Sequence, residues 1–522
     1  MSFKTFRGGI MPFDGKELTK DKEVEEYLPQ KDLVFPMLMH KGKEAFPTVS
    51  LGDYVLRGQM IGDGSGEGTA PIHASISGTV VDVRKNKIAT GGEIEAIVVK
   101  NDNEYKEVEF EKTLDYTSLS SEIILEKIKK AGIVGMSGSG IPTYDKLTKV
   151  PADEIETIIV NGIECEPYFT CDYRSLMEDN EKVIHGIKIL LQVFTKAKAI
   201  IALTENNMEC AQKLTSNVSV EEKISIEILE QRYPQGSERQ LVQSLTGKFF
   251  TSSQIATDIG CLVVNVQTLV AIYEAVVSGK PLMNRIITVS GDGILNPGNY
   301  YVCIGTNMQE LIDIAGGMKE TAVLKIAGGP MMGTKIEDWN TPITKITSGL
   351  TVLTKNPVNE KSVADCIRCG RCSEVCPQLL VPAKLWKYAI QEKEAFFEKW
   401  HGLECIECGS CSFICPAKLD LTSEICSMKN LILEKNQNLE NAKESPEDIK
   451  SADVKESKED IKSADAKESQ EDIKSADIKE SQDDMKSASE EENITDQEKV
   501  NKESDDANKD NNTEDKELVK GE

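Results

Sequence analysis

Two cysteine motifs constrain this chain more than any other feature. The segment DCIRCGRCSEVCP places four cysteines as C-x2-C-x2-C-x3-C-P, and ECIECGSCSFICP repeats that spacing further along the chain. A single C-x2-C pair leaves structural zinc open as an alternative, but the doubled four-cysteine motif with both prolines disfavours zinc. The doubled motif is typical of paired [4Fe-4S] clusters, in which the fourth cysteine of each motif binds the other cluster.

We therefore predict two clusters with exchanged fourth ligands. The first is assigned to Cys366, Cys369, Cys372 and Cys415, and the second to Cys405, Cys408, Cys411 and Cys376. The segment between the motifs has apolar residues at helical spacing, which predicts a helical insert packed against the clusters. The other six cysteines lack ligand spacing and fit small buried positions: Cys165, Cys171, Cys210, Cys261, Cys303 and Cys426. Two clusters in one domain can transfer single electrons from one to the other, so we expect one redox partner on each side of the pair.

Length, charge and hydropathy exclude several classes of protein. The 522 residues predict about three to four domains, and clustered cysteines in so long a chain indicate a reducing compartment. The net charge is −26, of which −14 lies in residues 441–522, and this argues against a nucleic-acid partner. The N-terminus lacks the apolar core of a signal peptide, and no segment approaches about 18 consecutive apolar residues. We expect the chain itself to be soluble.

The pattern along the chain predicts a multidomain α/β plus β architecture. Residues 1 to about 110 show short alternating apolar segments cut by glycine and aspartate, which predicts a small β-domain. From residue 121, helix and strand patterns alternate, which predicts a mostly parallel sheet covered on both faces. Short strands return at 284–352 and precede the cysteine motifs.

The C-terminal segment repeats every 12 residues and carries one large apolar side chain in each repeat. Because 12 residues rotate a helix position by about 120°, these side chains cannot line one face. We predict a solvated, disordered acidic tail, with a partner-docking arm as the alternative.

A glycine-rich segment, GIVGMSGSGIPTYDKL, matches neither the dinucleotide fingerprint nor the Walker loop. Its Gly135, Gly138 and Gly140 read G-x-x-G-x-G, and Lys146 follows. Glycine turns before a helix expose N–H groups that can bind phosphate, although a plain tight turn would also explain the glycines. The next loop, VNGIECEPYFTCDYR, follows an apolar strand, and open α/β sheets bind ligands at this position. The alternative is that the polar residues of this loop only cap the following helix.

The histidines offer no metal site or acid–base constellation. The four of them are scattered without ligand spacing: His40, His73, His185 and His401. Hydride chemistry requires no such group in the protein, because the cofactor carries it.

The two loops together resemble the flavin- and NADH-binding subunit of respiratory complex I. RYPQGSERQLVQSLTG and CLVVNVQTLVAI agree with later segments of that subunit, and ITVSGDGILNPGNYYVCIGTNMQELI resembles its β-grasp (SLBB) domain. The full order, from FRGGIMPFDGKELT to the paired cysteine motifs, is closer to the C subunit of the Rnf ferredoxin:NAD oxidoreductase family. This resemblance covers about residues 5–430.

The resemblance implies five regions with distinct folds. They are an N-terminal barrel-sandwich hybrid domain (1–115), a Rossmann-like FMN/NADH-binding α/β domain (116–283), an SLBB β-grasp domain (284–355), a helical two-cluster ferredoxin domain (356–436) and the disordered acidic repeat tail (437–522). VSLGDYVLRGQMIG and HASISGTVVDV resemble a biotinyl or lipoyl carrier barrel, yet residues 59–83 contain no lysine to which a prosthetic group could be attached. We therefore expect the barrel to be a docking module.

The resemblance also implies the residues that bind the flavin and the nicotinamide nucleotide. The implied FMN contacts are Gly135, Gly138, Gly140, Lys146, Asn161, Glu164, Gly236, Glu238 and Asn265; Glu166, as the catalytic contact, and Tyr168 would border the nicotinamide. Ser137 and Ser139 stand where the family usually has glycine and alanine, and Met136 replaces the arginine of complex I. A Cβ at residue 137 would crowd the cofactor if φ there were positive.

The implied function is that of a peripheral subunit on the cytoplasmic face of the cell membrane. NAD(H) would exchange hydride with FMN, and two [4Fe-4S] clusters would exchange single electrons with the other subunits of an ion-translocating complex. Ferredoxin would be reached indirectly, through a partner subunit. A cobalamin reductase is one alternative, in which the flavin domain would precede the barrel; a noncatalytic electron-relay scaffold is the other.

Overall fold

The computed structural model describes residues 3–89, 91–355 and 363–444. Its strands are β1 (Val24–Tyr27), β2 (Leu33–Pro36), β3 (Phe46–Pro47), β4 (Tyr54–Val55), β5 (Met60–Asp63), β6 (Ile72–His73), β7 (Gly78–Lys87), β8 (Glu93–Asn101), β9 (Thr157–Asn161), β10 (Lys198–Thr204), β11 (Ile224–Leu229), β12 (Cys261–Asn265), β13 (Asn284–Ser290), β14 (Gly298–Cys303), β15 (Leu324–Ala327), β16 (Thr334–Lys335) and β17 (Gly349–Leu353). Its α-helices are α1 (Ser121–Lys130), α2 (Thr143–Thr148), α3 (Cys171–Glu178), α4 (Asn180–Val193), α5 (Met208–Val218), α6 (Glu238–Thr246), α7 (Val266–Tyr273), α8 (Met308–Ile314), α9 (Arg371–Glu374), α10 (Pro382–Ile390), α11 (Glu394–Lys399), α12 (Ser410–Ile414) and α13 (Leu421–Glu444). Short 3-10 turns lie at Lys16–Leu18, Tyr116–Ser118, Ala152–Glu154, Glu205–Asn207, Ala256–Ile259 and Gly402–Glu404, and a π-helical turn lies at Glu274–Ser278.

Two small sheets form the barrel domain. One sheet has the order β2-β8-β7-β4 and the other the order β3-β5-β6. The tip of the β5–β6 hairpin, where a carrier barrel would present its lysine, contacts the next domain. There the Gly68 N–H donates to Asp145 Oδ2 of α2 at 3.0 Å. The tip is thus held against the α/β domain.

The α/β domain contains the parallel sheet that the helix–strand alternation predicts. Its order is β11-β10-β9-β12, and neighbouring strands are parallel. The centre of β9 is fully buried at Ile158, Ile159 and Val160, as expected for a strand covered on both faces. Asn161 and Asn265 are paired in register at the ends of β9 and β12. This register brings the two loops that follow these strands to one edge of the sheet.

The β-grasp sheet recruits a strand from the far N-terminal part of the chain. Its order is β1-β14-β13-β17-β15-β16, and β1 is parallel to β14, with Val24 opposite Asn299. Upstream of β1, Lys4 bridges to Leu229 at the end of β11. Residues 3–27 therefore lie against later domains, although their sequence pattern groups them with the barrel. The paired residues are more than 200 positions apart in sequence, so no local sequence pattern predicts this pairing.

Helices dominate the region that contains the two cysteine motifs. α10 and α11 lie between the motifs, which confirms the predicted helical insert. Leu385, Ala389 and Phe397 of this insert are buried in one core with Cys376. α13 continues to Glu444, past residue 437 where the acidic tail is predicted to begin, and residues 445–522 lie outside the described residues. No helix in the described part of the chain is long and apolar enough to cross a membrane.

Candidate functional site

One large cavity opens at the carboxyl edge of the parallel sheet, where all four domains meet. Its volume is about 810 Å3, within the range of roughly 300–1,000 Å3 usual for ligand pockets. The predicted cofactor residues line it, with the exception of Tyr168: Gly135, Gly138, Gly140, Lys146, Asn161, Glu164, Glu166, Gly236, Glu238 and Asn265. Tyr168 instead packs against the N-terminal segment, where its ring lies edge-on to Phe13 with 6.1 Å between ring centroids.

The glycine-rich loop has the open backbone that phosphate binding requires. Gly138 has a φ of +90°, and no atom outside its chain neighbours lies within 4 Å of the position a Cβ would take. Ser137 and Ser139 are absent from the described residues with positive φ. The side chains at 137 and 139 are therefore accommodated without backbone strain, and the crowding considered for Ser137 does not arise.

Lys146, predicted to supply a positive charge for a phosphate, is already paired. Its Nζ lies 2.6 Å from Oε1 of Glu238, and its side chain is only 15% exposed. Both residues line the cavity, so the pair adds no net charge to the site. No local sequence pattern reveals this pairing, since 92 residues separate the two side chains.

The two asparagines at the strand ends bind other parts of the cavity wall. Asn161 donates to the carbonyl of Gly236 at 2.9 Å, and Asn265 donates to Oδ2 of Asp172 at 2.6 Å. Burial raises the pKa of Asp172, and the nearby Glu164 raises it further. These contacts fix the side of the cavity formed by the α/β domain.

Glu164 combines a structural role with its place in the cavity wall. Its carboxylate accepts from the backbone N–H groups of Asp172 and Tyr173, at 2.8 and 3.1 Å, and so caps the first turn of α3. Lys16 donates to the Glu164 carbonyl at 2.7 Å, and its Nζ also lies 3.9 Å from Oε2 of the carboxylate. Glu164, Cys171 and Asp172 are close enough together to hold a metal ion, but the helix cap already uses the Glu164 carboxylate.

Glu166 lies beneath a turn of the β-grasp domain. Its Oε1 accepts from the backbone N–H groups of Met331 and Met332, at 2.6 and 3.2 Å. Burial raises the pKa of Glu166 to about 7, although both hydrogen bonds act to lower it. No side chain fits at Gly329 of the same turn, because a Cβ there would lie 2.1 Å from Glu166 Cγ. The sequence resemblance identifies Glu166 but not the turn that holds it.

The ferredoxin domain reaches the same cavity through Ile406 and Cys408. The hydroxyl of Tyr233, buried in the wall, donates to the carbonyl of Cys408 at 2.7 Å. Arg239 of α6 adds an ion pair with Glu404 at 2.8 Å. One predicted cluster ligand therefore borders the cavity that the predicted flavin residues line.

The arrangement of the cysteines fits the exchanged ligand sets. A second, small cavity is lined by all four thiols assigned to one cluster: Cys376, Cys405, Cys408 and Cys411. Cys415 of the second motif is buried in one core with Cys372 of the first. Cys366 and Cys369 are exposed. A donor set of thiols from both motifs around one cavity fits a [4Fe-4S] cluster, which we call the inner cluster. The cluster predicted for the other ligand set is called the outer cluster.

Cys165 lies in the wall of the large cavity but belongs to neither predicted ligand set. Burial raises the pKa of its thiol to about 12, and the sulfur accepts from the Gly236 N–H at 3.4 Å. A thiol with so high a pKa is not a nucleophile at neutral pH.

The fold and the site together define a flavin- and iron–sulfur-containing electron-transfer protein. Four family models match in chain order: the RnfC barrel sandwich hybrid domain (residues 4–104), the Nuo51 FMN-binding domain (128–274), the SLBB domain (286–335) and the 4Fe-4S dicluster domain (362–419). FMN and two [4Fe-4S] clusters are therefore the cofactors of the chain.

Three relatives place the chain more closely. The C subunit of the proton-translocating ferredoxin:NAD(+) oxidoreductase complex of Clostridium ljungdahlii is 39% identical over 73% of this chain and 84% of its own length. The Na(+)-translocating counterpart of Acetobacterium woodii is 33% identical over 74% and 87%, respectively. The C subunit of the ion-translocating oxidoreductase complex of Rhodobacter capsulatus is 36% identical over 73% and 74%. The chain belongs to this family of C subunits, as the sequence resemblance predicts.

Proposed function

We propose that this chain is the subunit of an ion-translocating ferredoxin:NAD(+) oxidoreductase complex at which NAD(H) reacts. Bound FMN exchanges hydride with the nicotinamide and exchanges single electrons with iron–sulfur clusters. The observation that carries the proposal is the presence of Cys408 in the wall of the cavity that the strand-end loops also line. The protein thereby holds a two-electron site and a one-electron carrier in contact.

The cavity residues divide this work between them. The open backbone at Gly138 binds the flavin phosphate, whereas the N–H groups of Gly135 and Gly140 already donate to carbonyls within the loop. Asn161 and Asn265 hold the ends of β9 and β12 in register at the cavity wall. Glu166 borders the nicotinamide from beneath the turn at 329–332. Cys408 would hold the inner cluster at the cavity wall, where it would accept single electrons, and the outer cluster would be held by a ligand set of which Cys366 and Cys369 are exposed.

The exposed outer cluster faces the partners of this chain, which are the other subunits of the membrane complex. Ferredoxin is reached through one of those subunits, and ion translocation belongs to them. We assign the chain to the cytoplasmic face of the membrane, where NAD(H) is available.

Purification of the full chain tests the proposal directly. We expect about eight irons, as two [4Fe-4S] clusters require, together with one FMN that NADH bleaches. Normal iron without flavin and without any response to NADH would leave only a noncatalytic electron relay. The other alternative, a cobalamin reductase, would instead be indicated by NADH-dependent reduction of cobalamin.

Substitution of Gly329 tests the role assigned to Glu166. In Gly329→Ala the added Cβ would displace the Glu166 carboxylate, while the backbone tolerates alanine because φ at 329 is not in the left-handed region. Overpacking of this kind costs about 1–3 kcal/mol, so we expect NADH to bleach the flavin at least about fivefold more slowly. Stopped-flow absorbance of the flavin measures this rate.

Gly66→Ala is the matched control, because a Cβ at 66 would meet nothing closer than 3.6 Å. Glu166→Ala should slow bleaching in the same way as Gly329→Ala. If both cavity variants bleached at the rate of the control, Glu166 would have no part in binding the nicotinamide nucleotide.

A further inference from the structure

The barrel domain contributes directly to the wall of the large cavity. Residues 38–42 line it, and the backbone N–H of Lys41 donates to the carbonyl of Gly140 in the glycine-rich loop at 2.8 Å. The two segments are so close that a Cβ on Gly140 would lie 3.4 Å from the Cβ of Lys41. The Lys41 side chain therefore begins beside the loop that is proposed to bind the flavin phosphate.

The segment that carries Lys41 is held firmly in this position. The next residue, Gly42, packs so tightly that a Cβ there would lie 2.2 Å from the carbonyl oxygen of Gly68. That same carbonyl accepts from the Lys43 N–H at 2.8 Å. Gly68 is in turn bound to Asp145 of α2 through its own N–H. The barrel hairpin, the Lys41 segment and the α/β domain are thus linked by a continuous set of contacts.

Among the residues that the structure describes, the charges around the cavity leave a phosphate with one available cation. Lys41 and Lys146 are the lysines of the cavity wall, which contains no arginine among the described residues. Lys146 is neutralised by Glu238. His40, also in the wall, is uncharged at neutral pH because burial lowers its pKa to about 4. Lys41 is exposed and forms no ion pair within the described part of the chain.

We propose that Lys41 of the barrel domain binds the phosphate of a nucleotide cofactor in this cavity. The proposal rests on the function proposed above and assigns the barrel a part in the cofactor site, beyond docking. A phosphate monoester carries a charge of about −1.5 to −2 at neutral pH, and the Lys146–Glu238 pair offers no net charge to balance it. The contact with Gly140 favours the FMN phosphate; the diphosphate of NAD(H) has the same chemistry.

The test compares FMN with riboflavin, which lacks the phosphate. Full-length, cluster-containing protein is freed of flavin and titrated with each compound by quenching of flavin fluorescence. We expect Lys41→Ala to weaken FMN binding about tenfold or more, as for the loss of one charge-assisted hydrogen bond, and to leave riboflavin binding unchanged. Lys41→Arg should retain FMN affinity, because the positive charge is kept.

Lys43→Ala is the control, since Lys43 is an exposed lysine two residues away that lies outside the cavity wall. NADH is titrated calorimetrically into each FMN-loaded variant. Weaker NADH binding by Lys41→Ala with unchanged FMN binding would assign the contact to the dinucleotide diphosphate and still support a phosphate-binding lysine. The proposal would be overturned if Lys41→Ala lost affinity for FMN and riboflavin equally. It would also be overturned if Lys41→Ala bound FMN and NADH with the same affinities as Lys43→Ala. If the unmodified protein bound no FMN, the proposed function itself would fail.

Discussion

Replacement of Cys408 by serine should leave the protein with about four of its eight irons, because one [4Fe-4S] cluster loses a thiolate ligand. We expect NADH still to bleach the flavin in this variant, since Cys408 contributes to the cavity wall at only one point. The outer cluster, however, should no longer be reduced by NADH. The measurement combines iron analysis, stopped-flow absorbance of the flavin and electron paramagnetic resonance of the reduced clusters.

The reason for this outcome is the order of the carriers. Cys408 borders the cavity and belongs to the four thiols around the small second cavity, whereas Cys366 and Cys369 are exposed. Under the proposed function, an electron from the flavin would therefore meet the inner cluster first, and loss of the inner cluster would disconnect the outer one.

Cys369→Ser supplies the matched control, since it removes one thiolate from the outer cluster. This variant should also retain about four irons, but its remaining cluster should be reduced by NADH as fast as in the unmodified protein. Rapid reduction of the outer cluster in Cys408→Ser would reverse the proposed order.

The sequence predicts those parts of the site whose residues lie close together along the chain. The cysteine motifs, the parallel sheet and the loop after β9 follow from local patterns of a few residues, whereas the loop after β12 follows from the family resemblance. Asn161 lies in a loop that the strand pattern places at the ligand-binding edge of the sheet, and Asn265, which the family resemblance adds, is paired with it in register. Ten of the eleven cofactor residues that the resemblance implies line one cavity.

The contacts between domains could not be predicted in this way. Glu166 is held by a β-grasp turn 165 residues further along the chain, and the glycine-rich loop is bound by Lys41 of the barrel. Each such contact depends on how the domains pack. Many of these contacts are made by backbone N–H and carbonyl groups, which nearly every residue has, so the residue type does not reveal them. Tyr168 differs from the other ten residues. The family resemblance implies that it borders the nicotinamide, but its N–H donates to the carbonyl of Asp14, and it does not line the cavity.

The N-terminal segment makes the most consequential of these contacts, because it packs against Cys376, a predicted ligand of the inner cluster. The Gly9 N–H donates to the carbonyl of Val375 at 2.9 Å, and Ile10 pairs with Tyr233 of the flavin domain. Gly8, at a φ of +89°, lies so close to the ferredoxin domain that a Cβ would be 2.8 Å from the carbonyl oxygen of Cys376. The segment thus joins the flavin domain to the inner cluster.

We expect Gly8→Ala to slow reduction of the clusters by NADH while the rate of flavin bleaching stays unchanged. The added methyl group meets backbone atoms of Cys376 and Val375, which cannot rotate away, so the domains must move apart at this point. Overpacking against such atoms costs about 1–3 kcal/mol, which corresponds to a shift of about 5- to 150-fold in the docking equilibrium. Stopped-flow absorbance follows flavin and clusters in the same experiment.

Gly52→Ala separates this crowding from backbone strain. Gly52 has a φ of +92°, nearly that of Gly8, but a Cβ at 52 would have no neighbour within 4 Å. Both variants therefore introduce an alanine into the left-handed region, and only Gly8→Ala brings it against a cluster ligand. Slower cluster reduction in Gly8→Ala alone would show that the N-terminal segment holds the inner cluster against the flavin site; equal behaviour of the two variants would refute that role. In the proposed order of carriers the inner cluster is the first after the flavin, so its docking would limit every electron that passes between NAD(H) and the partner subunits.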